Sequence, residues 1–233
     1  NIFFNKKKIF KKAIKNLDHL FFFGSEDREK SIEFFKIKKN KTSVFNFGVD
    51  TDFWYKDEGN SNEEYDVFSV GSDKHRDYSL LNGLNLNYKF LILTKLKVNF
   101  DSKNFQVISG SKEAPRVTDE ELRKLYNRSK IVLVPLRQTY QPSGQSAVLQ
   151  AMACGKVVIL TETNGIWDRK LFEHEKNIIL IKPYDKNSLK FYLEKLVIDK
   201  KLRDTIGNNA RHTAKKSFSL NRMNDDFKKL ILL

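Results

Sequence analysis

Two spacings of apolar residues alternate along this chain. Short runs at 19–24, 43–47, 65–70, 88–93, 105–109, 131–135, 157–160 and 177–181 have the length and the β-branched or aromatic content of strands. Segments 6–17, 26–35, 77–84, 118–127, 188–197, 200–215 and 221–232 read as helices. Start signals support two of them. Ser25 precedes a first turn holding Glu26 and Asp27, and Thr118-Asp-Glu-Glu121 has capping-box spacing. Gly48-Val-Asp50 reads as a turn and 60–64 as a polar linker. The last helix carries a stripe of Met223, Phe227, Leu230 and Ile231. Strands alternating with helices predict an α/β fold with a doubly wound parallel sheet. Ligands of such sheets bind beyond the carboxyl ends of the strands. Those ends direct attention to Gly71 onward and to 109–117, 135–146 and 161–168.

One segment concentrates the chemistry: Gln141-Pro-Ser-Gly-Gln-Ser-Ala-Val-Leu-Gln-Ala-Met-Ala-Cys-Gly-Lys-Val-Val-Ile-Leu160. It reads as a tight loop, a helix and a buried strand. Ser143 is placed to cap the helix through its hydroxyl. Gly144 leaves the backbone open to close approach by a ligand. The small apolar residues from Ala147 to Cys154 let the helix lie close on a sheet, and Gly155 suits the left-handed position that ends a helix. Free N–H groups at a helix N-terminus form an anion site. The segment therefore predicts a phosphate-bearing ligand.

Composition narrows the class. The 233 residues suffice for one large domain or two small ones. With 40% hydrophobic and 31% charged residues, the chain fits a folded globular protein. No apolar run approaches the roughly 20 residues that span a bilayer. The N-terminus has lysines without the apolar core or cleavage site of a signal peptide. A cytoplasmic location is expected. Cys154, the single cysteine, excludes an intramolecular disulfide and is expected to be a small buried hydrophobe. The chain starts at Asn1 rather than Met, which predicts a fragment or a processed product.

The net charge of +14 fits an anionic partner, whether nucleic acid, a membrane or a phosphorylated substrate. Lysines from AT-rich coding, scattered over solvated faces, account for the same charge. The densest cluster is Lys6, Lys7, Lys8, Lys11, Lys12 and Lys15, interleaved with Phe4, Ile9, Phe10, Ala13, Ile14 and Leu17. Such a helix either lies peripherally on the inner face of an anionic membrane or packs its stripe on a core. The chain has no recognised nucleic-acid module, which argues against that partner. It has no metal-ligand spacing either, so neither a metal nor a cofactor is expected. Gly71 is not followed by the other two glycines of a dinucleotide fingerprint.

Five segments, in order, then carry a resemblance. They are Phe47-Gly-Val-Asp-Thr-Asp-Phe-Trp54; Val117-Thr-Asp-Glu-Glu-Leu-Arg-Lys-Leu-Tyr126 with Ser129-Lys-Ile-Val-Leu-Val-Pro135; Leu149-Gln-Ala-Met-Ala-Cys-Gly-Lys-Val-Val-Ile159; 177–183 with Asp185; and 199–203 with Gly207, Ala210 and Arg211. Together they resemble the retaining glycosyltransferases of the GT-B fold, family-four (group 1) type, from about His19 to the C-terminus. The resemblance implies a C-terminal, Rossmann-like donor domain at 51–217. It implies a remnant of the acceptor domain with its linker at 1–50, and a helix at 218–233 that packs back on that domain. With most of the acceptor domain missing, the stripe on that helix is expected to be exposed.

The activity implied is metal-independent transfer of a hexose from a nucleotide-diphosphate sugar to a glycan, lipid or protein acceptor. The catalytic residues are expected in the missing N-terminal region, so this chain would bind donor without efficient transfer. For the diphosphate the resemblance assigns Arg76, with Lys74 as second choice, together with Gly71 and the amides of Gly144, Gln145 and Ser146. Arg76 is preferred because a guanidinium holds two phosphate oxygens at once; the alternative for both cations is a solvated loop. Gln150, Gln141, Ser143, Asn164 and Gly165 are assigned to the ribose and sugar, and Arg116 and Val117 border the base. Gln150 and Pro142 stand where the family has glutamates. A carboxamide at 150 can still accept one hydroxyl bond through its oxygen. Asp168 is either a sugar contact or a turn cap. Two other readings stay open: a non-catalytic basic interaction module, and a nucleotide-sugar epimerase of the same fold.

Overall fold

The computed structural model describes residues 12–14, 16–57, 62–100, 102–109 and 117–231. The basic helix expected at 6–17 falls largely outside the described residues, and Arg116 and Leu232 fall wholly outside them. Near the N-terminus, β1 (Leu20–Phe22), α1 (Ser25–Phe35) and β2 (Thr42–Val44) form a small unit. Its two strands pair in parallel, with Leu20 opposite Thr42. Glu26 and Asp27 occupy the first turn of α1 as expected, but Gly24 and not Ser25 is its cap residue. A side chain at position 24 would strike the Pro142 ring, with Cβ 2.9 Å from Cγ, so packing selects glycine there.

Six further strands among the described residues build one parallel sheet. They are β3 (Tyr65–Val70), β4 (Phe90–Thr94), β5 (Phe105–Ser109), β6 (Ser129–Val134), β7 (Val157–Thr161) and β8 (Ile179–Ile181), in the order β5-β4-β3-β6-β7-β8. Val67 of β3 pairs with Phe90 on one side and Ile131 on the other. β6 and β7 are buried almost throughout, which is why they read as continuous apolar runs rather than alternating ones. Helices α2 (Asp119–Asn127), α3 (Gln145–Ala153), α4 (Lys186–Ile198), α5 (Lys200–Ser217) and α6 (Leu220–Ile231) complete the chain. Phe68, Leu91, Val132 and Val158 share one apolar core with Tyr126 of α2, the buried face of α3 and Ala210 and Ala214 of α5. Val67, Ile92, Ile131 and Ile159 share the other with Leu189 and Leu193 of α4 and Ile206 of α5.

Local chemistry sets the ends of these elements. Thr118 and Glu121 form a reciprocal capping box on α2. Gly155, at φ +69°, closes α3: its N–H donates to Met152 O and that of Lys156 to Ala151 O. The helix expected at 77–84 is one 3-10 turn, Tyr78–Leu81, because Gly83 and Asn85 take positive φ directly after it.

The turn expected at Gly48-Val-Asp50 falls instead at 51–53, because Val49 bridges in parallel to Ser219 beside the start of α6. Val49 N–H donates to Phe218 O, and Leu220 N–H donates back to Val49 O. Met223 Sδ accepts from Gly48 N–H, and the Phe227 ring lies 5.8 and 5.7 Å from those of Phe21 and Phe45. The stripe of α6 is therefore partly covered by the small N-terminal unit, not left bare; Ile231 remains 58% exposed. Among the described residues no helix is long and apolar enough to cross a membrane.

Candidate functional site

The strand order reverses between β3 and β6, and the segments leaving their carboxyl ends are stitched together. Asp77 N–H donates to Pro135 O, Arg137 N–H to His75 O, and Arg76 forms an antiparallel bridge with Leu136. Asp73 shapes the loop from within: its Oδ1 accepts from His75 N–H and its Oδ2 from the Ser143 hydroxyl. Burial pushes the Asp73 carboxyl up, but these bonds and the nearby His75 and Arg76 outweigh it, and it titrates below its ordinary value.

This loop delivers Arg76 to the switch point. The side chain is only 5% exposed, and its Nε and Nη1 have no hydrogen-bond partner among the described residues. Burial pushes its pKa down, offset in part by Tyr78, Tyr126 and Asp73. A guanidinium nevertheless stays protonated in proteins. A buried, unpaired cation is costly, which marks the position as one suited to an anion. Gly71, at φ +147°, makes room for it, and Gly71 O is fixed by the Tyr78 and Thr94 hydroxyls.

Opposite Arg76 stands the N-terminus of α3. Here the expected cap is corrected. Gly144, at φ +81°, is the cap residue and makes no side-chain bond, while the Ser143 hydroxyl is given to Asp73. A Cβ at 144 would sit 2.7 Å from Val134 Cγ1 and 2.9 Å from Arg76 Nη1. The helix amides and the guanidinium thus face one small volume. The first-turn N–H groups of Gln145, Ser146 and Ala147 have no partner within a helix of this kind. They open on a cleft of about 350 Å³ lined by Gly71, Arg76, Gly144, Gln145, Ser146 and Gln150, with Phe23 and Phe47 from the N-terminal unit at its edge.

Gln150 lines this cleft, and its Oε1 accepts from the Tyr126 hydroxyl at 3.1 Å, which anchors the carboxamide and leaves the oxygen one lone pair. Ser143 also lines the cleft and is buried. Lys74 is exposed and lines a separate cleft of about 390 Å³ with Arg137, on the other side of Arg76. Gln141, Asn164 and Gly165 are not among the residues lining the Arg76 cleft. Gly165 N–H donates to Thr139 O, and its Cα packs against the 140–141 backbone. Asn164 N–H donates to Gln138. Val117 is half-buried just before the α2 cap, away from the cleft. Asp168, at φ +41°, is the cap residue of the 3-10 turn Arg169–Leu171 through its carbonyl, which accepts from Leu171 N–H, while its carboxylate accepts from Asn46.

Sequence reasoning does not single out Asp73, Tyr126, Phe23 or Phe47. Asp73 carries a signal, since an Asp two residues before a bonded N–H is an Asx turn. The aromatic residues carry none, because their role depends on packing between distant segments. His19 and His174 are occupied structurally, by Ser43 Oγ and by Leu180 N–H with the Tyr192 hydroxyl. Cys154 is fully buried and its thiol is pushed up to about 12 by burial, as expected of a small hydrophobe.

With this geometry the chain can be set beside known proteins. Residues 103–213 match the model of the glycosyl transferases group 1. This part of the chain is similar to that family. An uncharacterized glycosyltransferase of Methanocaldococcus jannaschii is 30% identical over 103 residues, which is 44% of this chain and 25% of that protein. The chain thus spans about a quarter of the length of that curated relative. Among solved structures it is similar to a sucrose-phosphate synthase from Thermosynechococcus elongatus, at TM-score 0.75 and 16% identity over 97% of this chain and 61% of that one. It is also similar to Anabaena Alr3699/HepE in complex with UDP and glucose, at TM-score 0.76 and 14% identity, covering 94% of this chain and 64% of that one. At such identities the likeness is one of fold. The parallel sheet with its flanking helices is Rossmann-like, with the architecture of GT-B glycosyltransferases.

Proposed function

We propose that this chain is the donor-binding part of a glycosyltransferase that takes a sugar from a nucleotide-diphosphate donor. The observation that carries this reading is the buried, unpartnered Arg76 guanidinium facing the N-terminus of α3. Departure of a diphosphate leaves charge on its oxygens, and preorganised amides and a guanidinium stabilise that charge. Chemistry of this kind needs no metal, and in this reading the transfer is retaining. The solved relative from Anabaena, whose complex holds UDP and glucose, supports a nucleotide-sugar as the ligand class.

In the same reading, 51–217 is the donor domain, 1–50 belongs to an acceptor domain, and 218–233 crosses back to it. The bonds between Val49 and the start of α6 and the Phe21–Phe45–Phe227 cluster fit that division. The acceptor-side chemistry then lies with residues beyond the cleft described here, and the chain alone is expected to bind donor with little transfer.

The test is calorimetric titration with UDP-glucose, GDP-mannose and ADP-glucose. One of them should bind at micromolar to millimolar level, and Arg76→Ala and Gly144→Val should abolish the binding while the protein still melts cooperatively. No heat with any of the three would sink the proposal.

A further inference from the structure

Two residues lining the Arg76 cleft come from the N-terminal unit. Phe23 directly follows β1 and Phe47 follows β2, so both stand beyond the carboxyl ends of that parallel pair. The Arg76 loop and α3 follow β3 and β6 in the same way, and the cleft lies between them. The two phenyl rings meet edge to face, with centroids 5.6 Å apart, and Phe23 packs further on Phe45 at 4.9 Å. Phe23 still remains 37% exposed. Each ring is carried beside a residue docked on the larger sheet's side. Gly24 abuts the Pro142 ring, and Asn46 Nδ2 donates to Asp168 Oδ2 at 2.6 Å. These contacts hold both rings at the cleft.

The cleft is therefore two-faced. Arg76, the α3 amides and the carboxamides of Gln145 and Gln150 make one side polar, and aromatic hydrocarbon makes the other. A pyranose is divided likewise, with hydroxyls around its rim and C–H bonds on its faces. A nucleobase also stacks on aromatic rings, but the needs of transfer choose between the two. The anomeric carbon must come within reach of the acceptor, and the N-terminal unit belongs to the acceptor side in the reading above. The end of the donor that meets this unit is then the glycosyl end. We infer that Phe23 and Phe47 form the apolar wall of the glycosyl subsite, where the sugar turns a C–H face to the rings and its hydroxyls toward α3. The inference rests on the nucleotide-sugar reading and adds to it the residues that recognise the transferred group.

The experiment is paired calorimetric titration of the 233-residue chain. One probe is whichever of UDP-glucose, GDP-mannose and ADP-glucose binds wild type most tightly; the other is the matching bare nucleoside diphosphate. Phe23→Ala and Phe47→Ala should each weaken the nucleotide-sugar about five- to ten-fold, the cost of losing about 50 Å² of apolar contact. Affinity for the bare diphosphate should stay near that of wild type. Phe23→Leu keeps an apolar wall and should fall between Phe23→Ala and wild type. Equal losses for both probes would place the rings at the nucleoside or make their role structural, and overturn the inference. Unchanged affinity for both probes overturns it too, and either result leaves the nucleotide-sugar reading standing. Absence of binding by the wild type overturns both. If Phe47→Ala does not fold, Phe23→Ala, at a partly exposed position, decides alone.

Discussion

Arg76 and Gly71 share one volume: a Cβ built on Gly71 would lie 2.6 Å from Arg76 Cζ. The bare glycine therefore holds the guanidinium in the place from which it faces α3. Gly71→Ala should expel that side chain, lose nucleotide-sugar binding, and destabilise the protein by about 1–3 kcal/mol as an overpacked site does. In a Gly71→Ala/Arg76→Ala pair the clash is gone, so urea unfolding should show a smaller loss than the sum of the two single variants. Strict additivity would mean that the two residues do not compete for space.

Asp73 ties the Arg76 loop to the residue before α3, and this tie depends on charge. Its carboxyl titrates below the ordinary 3.8. In the window below that value the unfolded chain binds the proton first, so stability rises with pH through it. The contribution is complete above about pH 4 and is lost as the pH falls through the folded pKa. Asp73→Asn should remove this dependence. The difference in unfolding free energy between wild type and variant should shrink between pH 5 and pH 3, and a constant difference would show that the carboxylate is not held by Ser143 and His75.

Sequence reading reaches the architecture because the signals for it are local. The runs in β6 and β7 are buried on both faces, the capping box of α2 spans four residues, and Gly155 closes α3 with bonds to Met152 and, through Lys156, to Ala151. Arg76 and the α3 N-terminus are legible for the same reason, each lying next to a strand end. The rest depends on distant partners. Ser143 does not cap α3 because Gly144 holds the cap position, and its hydroxyl donates to Asp73, 70 residues away. Gln150 is anchored because Tyr126, 24 residues away, donates to its oxygen. No spacing rule within one helix reports such a pairing.

Gly165, expected at the sugar, is also tightly packed. Its N–H holds Thr139 O, and a Cβ there would lie 2.7 Å from the carbonyl carbons of both Tyr140 and Gln141. Those atoms are backbone and cannot swing aside. Gly165→Ala should therefore push the 139–141 loop away and lower stability by about 1–3 kcal/mol in the absence of any ligand. A melting curve without nucleotide-sugar checks this. An unchanged melting temperature with weakened binding would instead restore Gly165 as a ligand contact.

Lys156 offers a prediction at alkaline pH. It is 8% exposed and its Nζ donates to Asn127 O at 2.8 Å. Burial lowers its pKa from 10.5 to about 8; Glu63 and Cys154 oppose this change, while Lys56 and Arg203 add to it. Below the folded value both states carry the proton, and the charge is buried at a constant penalty. Between about 8 and 10.5 the unfolded chain keeps a proton that the folded chain has lost, so stability rises with pH across that interval. Each pH unit of that interval adds about 1.4 kcal/mol, so the gain is at most about 3 kcal/mol. Lys156→Met has no such titration and serves as the reference that cancels the other lysines and the tyrosines. Urea unfolding at pH 7.5 and pH 10.5 should show the difference between wild type and variant moving in favour of wild type by up to that amount. A difference that stays level would mean that Lys156 titrates as an ordinary surface lysine, and that the carbonyl of Asn127 does not hold a buried amine.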